Sequence, residues 1–394
     1  METRSHGVAV DRAKATLMTS RVQCSPETEG QMTSVLFCCT GVGLFNRGIE
    51  TFFREAFDGL QSMPGCQTRL LKGAGDETPI EKVMPALPRT GRVGPILGRL
   101  SGRSAYAVEQ WTSFPFVIQE IRRFRPQVIF TSEANLLFLL RRFRRLIGVP
   151  FRLLFSNGGP CHPPFDCYDF VHQVAPWYMK EALDAGEPPE KHFMVPYGIH
   201  VPEPPSDDPA AKAAIRLKLG LPLERPIVLS VGWIARQHKR MDHVIEEVAR
   251  LPEPRPFLQL LGAMDENSPK IVELGNRLLG PQNFSALSVS PEAVSDYYRA
   301  ADVFVLGSLV EGFGRVYLEA LMHGLPTIGH RHPVMEYVLG DAGVLADLNQ
   351  RGSLNPILQE QLSELSLHSD DAKLRRWRSI LDRFSWEVLR PQYA

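Results

Sequence analysis

The sequence predicts an α/β protein built as two doubly wound, parallel-sheet domains that face each other across a cleft. Three observations predict it. Strand-sized apolar runs alternate with helical patterns, a proline-rich connector interrupts the alternation near mid-chain, and the same alternation resumes beyond it. At 394 residues the chain exceeds one ordinary core, so two domains of similar size are expected.

In the first half, residues 34–40 (SVLFCCT) form an apolar run ended by Gly41-Val42-Gly43, the pattern of a buried strand entering a glycine turn. Phe52, Phe53, Ala56, Phe57 and Leu60 then recur at helical spacing and complete a first βα unit. Further strands are predicted at 128–131, 152–156, 169–173 and 193–196. Residues 201–209 (VPEPPSDDP) carry four prolines and read as an extended connector. A short helix at 210–219 follows, then strands at 227–231, 257–261, 284–287, 303–306 and 327–329. The expected organisation is a mobile tail (1–32), a first domain (33–200), a connector with the first crossover helix (201–222) and a second domain (223–375). A C-terminal helix (376–394) is expected to cross back to the first domain.

Composition narrows the class. Apolar residues make up 44% and charged residues 22%, values of a globular chain. Lys plus Arg and Asp plus Glu number 44 each, so no global charge calls for nucleic acid. No apolar run is long enough to span a bilayer, and the first thirty residues lack an apolar leader core, so a cytoplasmic protein is expected. The six cysteines include no Cys-x-x-Cys, and Cys38 and Cys39 read as small apolar strand residues. Cys161, His162, Cys167 and His172 match no common zinc spacing, and Pro163-Pro164 interrupt them, so no metal site is expected.

Residues 302–324 (DVFVLGSLVEGFGRVYLEALMHG) carry the chemistry. A strand runs into a loop holding Gly312 and Gly314, then into a helix that Gly324 terminates. Glycines let backbone N–H groups approach a ligand, and a helix N-terminus favours negative charge, so a diphosphate suits this loop. Glu311 and Glu319 supply carboxylates that accept hydrogen bonds from sugar hydroxyls.

This segment resembles the signature of the retaining family 4 glycosyltransferases (the group 1 type), which have the GT-B fold of two Rossmann-like domains. The match covers E-G-F-G, then L-E-A-L-x-x-G-x-P through Pro326. The resemblance implies that Glu311 contacts the donor sugar, that Glu319 holds the ribose of its nucleotide, and that backbone around Phe313 and Gly314 lines the donor. Residues 230–242 (SVGWIARQHKRMD) are similar to the turn whose Arg and Lys hold the donor diphosphate. Gly232 is present and Lys239 takes the Lys role, but Trp233 stands where the family has Arg, leaving Arg236 as the candidate substitute. Residues 40–50 (TGVGLFNRGIE) resemble the family's N-terminal glycine loop, placing Gly41, Gly43 and Arg47 at the donor or acceptor. On the acceptor side, Ser156-Asn157-Gly158-Gly159 replaces a strand-end His, so Asn157 and the nearby His162 are the candidates. Tyr197 and His200 replace the family's polar Asn and Asp in residues 195–200 (VPYGIH).

The implied reaction moves a sugar from a nucleotide-diphosphate sugar to a carbohydrate, lipid-linked or small-molecule hydroxyl, with no cofactor. Leaving-group stabilisation is the main task, and the two glutamates are not a hydrolase acid and nucleophile pair. No Asp-x-Asp occurs in the chain, so metal independence is expected. An epimerase or phosphorylase on the same double fold, and a non-catalytic nucleotide-sugar-binding module, stay open beside it. A dinucleotide-dependent oxidoreductase lacks its third glycine, since Asn46 occupies that position. Finally, residues 136–147 (LLFLLRRFRRLI) couple apolar residues to Arg141, Arg142, Arg144 and Arg145. The pattern admits peripheral contact with an anionic inner membrane face, and also a buried helix with a solvated basic side.

Overall fold

A computed structural model describes residues 32–206 and 208–393. The predicted tail up to residue 31, with Cys24, lies outside the described residues. The first sheet holds β1 (Thr33–Cys39), β2 (Cys66–Lys72), β3 (Glu81–Val83), β4 (Val128–Thr131), β5 (Arg152–Asn157), β6 (Phe170–Gln173) and β7 (His192–Met194). The second holds β8 (Ile227–Val231), β9 (Phe257–Leu261), β10 (Phe284–Leu287), β11 (Val303–Val305), β12 (Thr327–His330) and β13 (Val344–Ala346). Their orders are β3-β2-β1-β4-β5-β6-β7 and β10-β9-β8-β11-β12-β13, with every pair parallel. These are two doubly wound α/β units. The order reverses at β1/β4 and at β8/β11, and ligands of such sheets bind at the carboxyl ends of strands flanking that switch.

β1 shows why the strands form. Phe37 and Cys39 enter a core on one face of the sheet while Leu36 and Cys38 enter a separate core on the other. Residues buried on both faces give the continuous apolar run of a central parallel strand. Burial also pushes both thiols well above their ordinary pKa, so they are inert here. The predicted strands at 128–131, 227–231, 257–261 and 284–287 match the observed ones at both ends, and the others differ by one or two residues. β7 stops at Met194, short of the predicted 196, because Pro196 has no N–H for the ladder. Three strands were not predicted. In β2 the polar Gln67, Arg69 and Lys72 break the apolar run, and Lys72 is buried by an ion pair to Glu81 at 2.6 Å. β3 and β13 are three-residue edge strands.

The predicted basic patch needs one correction. On the Ala134–Ile147 helix, Arg141, Arg142 and Arg145 are exposed. Arg144 turns inward instead, and both of its terminal nitrogens bond the Asp169 carboxylate. The carboxylate just before β6 neutralises its charge, although the side chain stays 31% exposed.

The chain joins the units twice. It leaves the first through residues 195–206 and returns through the Trp386–Tyr393 helix, which packs against the Gly48–Gln61 helix. Ile199 N–H donates to the Phe384 carbonyl at 2.8 Å, and the ring of buried Trp386 lies over Gly198 so closely that a Cβ there would stand 2.5 Å from it. Tyr197, fully packed, stacks on Phe52 with centroids 3.8 Å apart. Between the units Arg315, 5% exposed, donates to the Gly198 carbonyl at 2.6 Å and to both Glu55 oxygens at 2.8 and 2.9 Å. Trp386 Nε1 donates to the same carboxylate at 2.9 Å. Removing one member of a buried ion pair costs about 3 kcal/mol or more, whereas neutralising both is far less damaging. Arg315→Met is therefore expected to lower stability by about that amount, and addition of Glu55→Gln to recover most of it. Equal losses for single and double variants in urea unfolding would show that this pair does not join the units.

Candidate active site

The two switch points face each other. In the second unit β8 runs into Gly232, and residues 233–240 bring Lys239 back over that glycine. A Cβ at Gly232 would stand 3.3–3.5 Å from three carbons of the Lys239 stem. Lys239 is flanked by His238 (φ 66°) and Arg240 (φ 48°), two of the three non-glycine residues with left-handed backbone among the described residues. That conformation costs energy in L-residues and concentrates at functional loops. It is held by Arg240, whose guanidinium donates to the carbonyls of Gly307 (3.3 Å) and Leu348 (2.8 Å). Lys239 Nζ thereby meets Glu311 Oε1 at 2.6 Å, joining the carboxyl ends of β8 and β11.

Glu311 is buried, and its backbone carbonyl accepts from the Tyr178 hydroxyl at 3.1 Å, a contact from the first unit. At the next residue the units touch backbone to backbone. A Cβ at Gly312 would stand 2.1 Å from the Gly158 carbonyl oxygen. Phe313 is 2% exposed and packs edge-on against Tyr197 and Phe384, so its backbone alone is available to a ligand. Gly314, at φ 79°, caps the Arg315–Met322 helix in a conformation glycine adopts freely. One turn into that helix Glu319 accepts from the Tyr298 hydroxyl at 3.0 Å, and burial holds its carboxyl above the usual range. Trp233 is exposed, and Arg236 pairs with Asp242 at 2.7 Å on the outer side of the loop. Arg236 is not brought to Glu311.

In the first unit the glycine loop serves its own packing. Gly41 leaves room for Glu50, because a Cβ would stand 2.3 Å from that carboxyl, and Gly43 lies against the Ala74 carbonyl. Glu50 in turn takes Arg47 at 2.7 Å, whose guanidinium also lies over the Phe45 ring. A Cβ at Gly48 would stand 3.6 Å from the Arg315 stem, so the N-terminus of the Gly48–Gln61 helix faces the signature helix across the cleft. Asn157, fully buried, donates to Gln173 and Cys161 and accepts from the Cys161 N–H, which fixes the loop that carries Gly158. His162 stays exposed on the rim, 3.4 Å from Glu181. His172 sits apart from it, in the core. Its Nδ1 is 3.1 Å from Ser156 Oγ, and burial drops its pKa to about 4. Among the described residues, no three His, Cys, Asp or Glu side chains are grouped to share a metal ion.

Sequence reasoning missed three positioning residues. Glu133, at the end of β4, accepts from the Thr40 N–H (2.7 Å) and hydroxyl (2.8 Å) and so ties the two strands of the first switch point. Tyr178 and Arg315 hold the signature loop from either side. Only Glu133 carried a signal, as an acid two residues past a predicted strand. A cavity of about 150 Å³ opens beside Thr40, lined by Leu44, Gly73, Met84, Ala86, Pro88 and Glu109.

Residues 211–365 match the sequence model of the family described as Glycosyl transferases group 1. The lipopolysaccharide core biosynthesis glycosyltransferase LpsE of Rhizobium meliloti is 28% identical over 186 residues, covering 46% of this chain and 52% of the relative. The chain spans about half the length of the curated relatives it matches. Among solved structures, a glycosyltransferase from Rickettsia africae superposes with TM-score 0.70 at 15% identity, covering 92% of this chain and 96% of that one. HepE from Anabaena, in complex with UDP and glucose, gives 0.71 at 16% identity, covering 92% and 98%. The two-unit architecture is thus the GT-B fold. Because the Gly158–Gly312 contact is backbone on one side and leaves no rotamer to yield, Gly312→Ala is expected to cost about 1–3 kcal/mol. It should also widen the cleft, read as a larger radius of gyration in small-angle scattering. An unchanged radius together with an unchanged melting temperature would show that the loops are not pressed together in solution.

Proposed function

We propose that the chain is a retaining, metal-independent glycosyltransferase that moves a sugar from a nucleotide-diphosphate sugar to a hydroxyl acceptor. The observation that carries this reading is the Lys239–Glu311 pair at the β8/β11 switch point, inside the segment that matches the group 1 family. Without donor the two charges neutralise each other. A bound donor offers each a better partner, the diphosphate for Lys239 and the sugar hydroxyls for Glu311. The leading N–H groups of the helix behind Gly314, which has no side-chain cap, add donors for the phosphate oxygens. Glu319, fixed by Tyr298, accepts from a ribose hydroxyl.

In the reaction the bond from the anomeric carbon to the diphosphate oxygen breaks as positive charge grows on the sugar. The acceptor oxygen forms its bond on the same face and passes its proton to the departing phosphate oxygen. Lys239 stabilises the negative charge that develops there. Arg236 is an auxiliary cation in this scheme, and its exposure and its pairing with Asp242 make it the lesser one. The metal-independent reading draws on the absence of Asp-x-Asp. The presence of UDP and glucose in HepE, a structure of the same fold, supports a nucleotide sugar as donor.

Turnover of a panel of nucleotide sugars in the presence of EDTA tests the proposal. Lys239→Ala is expected to lower kcat about a hundredfold or more with nucleotide binding largely kept, and Arg236→Ala to lower it far less. Glu319→Ala should chiefly weaken binding of the nucleoside diphosphate. Loss of wild-type activity in EDTA would remove the metal-independent mechanism. Wild-type rates in both Lys239→Ala and Glu319→Ala would remove the site assignment.

A further inference from the structure

The Val93–Ser101 helix is built inside out. Its packed face is glycine, since Gly94 and Gly98 are its buried residues. A Cβ on either would stand 2.8 Å from a carbonyl oxygen, that of Pro88 or that of Arg103. Its outer face carries Val93, Ile96, Leu97 and Leu100, at the i, i+3, i+4, i+7 spacing of one helical stripe. These four are exposed at 53%, 55%, 40% and 80%. Surface helices of globular proteins turn such a stripe toward the core. Here the stripe faces solvent and the small residues face the core.

The chain segment that carries this stripe holds charge of one sign. Between Glu81 and Glu109 the sequence holds no acidic residue but contains Lys82, Arg89, Arg92, Arg99 and Arg103. Arg89 turns inward to Glu109 at 3.0 Å, and Lys82 pairs with Glu77. Arg92 and Arg99 are exposed beside the stripe with no ion pair among the described residues. Arg103 lies 4.0 Å over the ring of Trp111, which is itself 38% exposed.

We infer that this face docks on an anionic lipid bilayer. The four apolar side chains enter the boundary between headgroups and acyl chains, and Arg92 and Arg99 meet the lipid phosphates. Trp111, with Arg103 over its ring, lies at the depth where amphipathic rings settle. The helix has nine residues and no helix among the described residues can cross a membrane, so the attachment is superficial. Pro88 both packs beneath the helix and lines the cavity beside Thr40, so the bilayer surface would lie next to that cavity's wall. The docking does not depend on the proposed reaction.

Co-sedimentation with phosphatidylcholine vesicles, with and without phosphatidylglycerol, tests the inference without an activity readout. The full chain is expected to bind the anionic vesicles in a salt-sensitive way. The pair Ile96→Ser with Leu100→Ser, and separately Arg92→Gln with Arg99→Gln, should each weaken binding at least about tenfold. All these side chains are exposed, so melting temperatures should stay at the wild-type value. Arg141→Gln, Arg142→Gln and Arg145→Gln together should leave most binding intact. Absence of wild-type binding at low salt, or loss confined to the triple variant, would overturn the assignment. So would a concentration-dependent dimer in sedimentation velocity that the Ile96/Leu100 variant abolishes, which would give the face to a second copy of the chain.

Discussion

The Arg315 guanidinium is the point on which the two units are mounted. It leaves the first turn of the signature helix in one unit and spends its hydrogen bonds in the other, on Gly198 and Glu55. Burying a guanidinium requires that its charge be met by a fixed carboxylate and its remaining N–H groups by oxygens. Those demands fix Glu55 and its helix, and through Trp386 the returning C-terminal helix as well. With these in place the loop between β11 and the helix has little freedom. Gly312 must lie on Gly158, and Phe313 must fill the space between Tyr197 and Phe384. The position of Glu311 is thus set from the first unit as much as from its own.

The second switch point holds energy of a different kind. Lys239 is placed by two side-chain-bearing residues in left-handed backbone, stabilised by the carbonyl contacts of Arg240. Among the described residues its charge is then matched by Glu311 alone. An ion pair made of two groups that each want a different ligand partner is a latent site, since either charge is left wanting when the other is drawn away. At the first switch point Thr40 donates its N–H and its hydroxyl to one oxygen of Glu133, and the glycines of that loop are occupied by Glu50 and Ala74. The other oxygen of that buried carboxylate has no hydrogen-bond partner among the described residues.

Much of this was legible in the residues. The central strands β1, β8 and β9 appear as near-continuous apolar runs, with Ser230 and Gln259 the polar residues inside β8 and β9, so both sheets could be placed. The signature glutamates and Lys239 stand close to one another within their own unit, where short motifs carry spatial meaning. What escaped was set by contacts between distant parts of the chain. Arg315 reads as an ordinary helix residue until Glu55 is seen opposite. Arg144 reads as one of four surface cations until Asp169 takes it. β2 hides because Lys72 is polar in sequence and buried in fact, neutralised by a carboxylate nine residues on. The outward stripe of the Val93–Ser101 helix was equally invisible, because helical spacing reveals a stripe but not the direction it faces.

The returning helix has a consequence for how the protein is made. The Gly48–Gln61 helix presents Phe52 to Tyr197, Trp386 and Tyr393, and two of those rings belong to a segment that follows the whole second unit in the chain. On the ribosome the first unit therefore waits, with an aromatic face uncovered, while the whole second unit is translated and folds. Apolar surface uncovered during folding is what exposes a chain to aggregation. The first unit reaches its final form only when residues 386–393 arrive to close it.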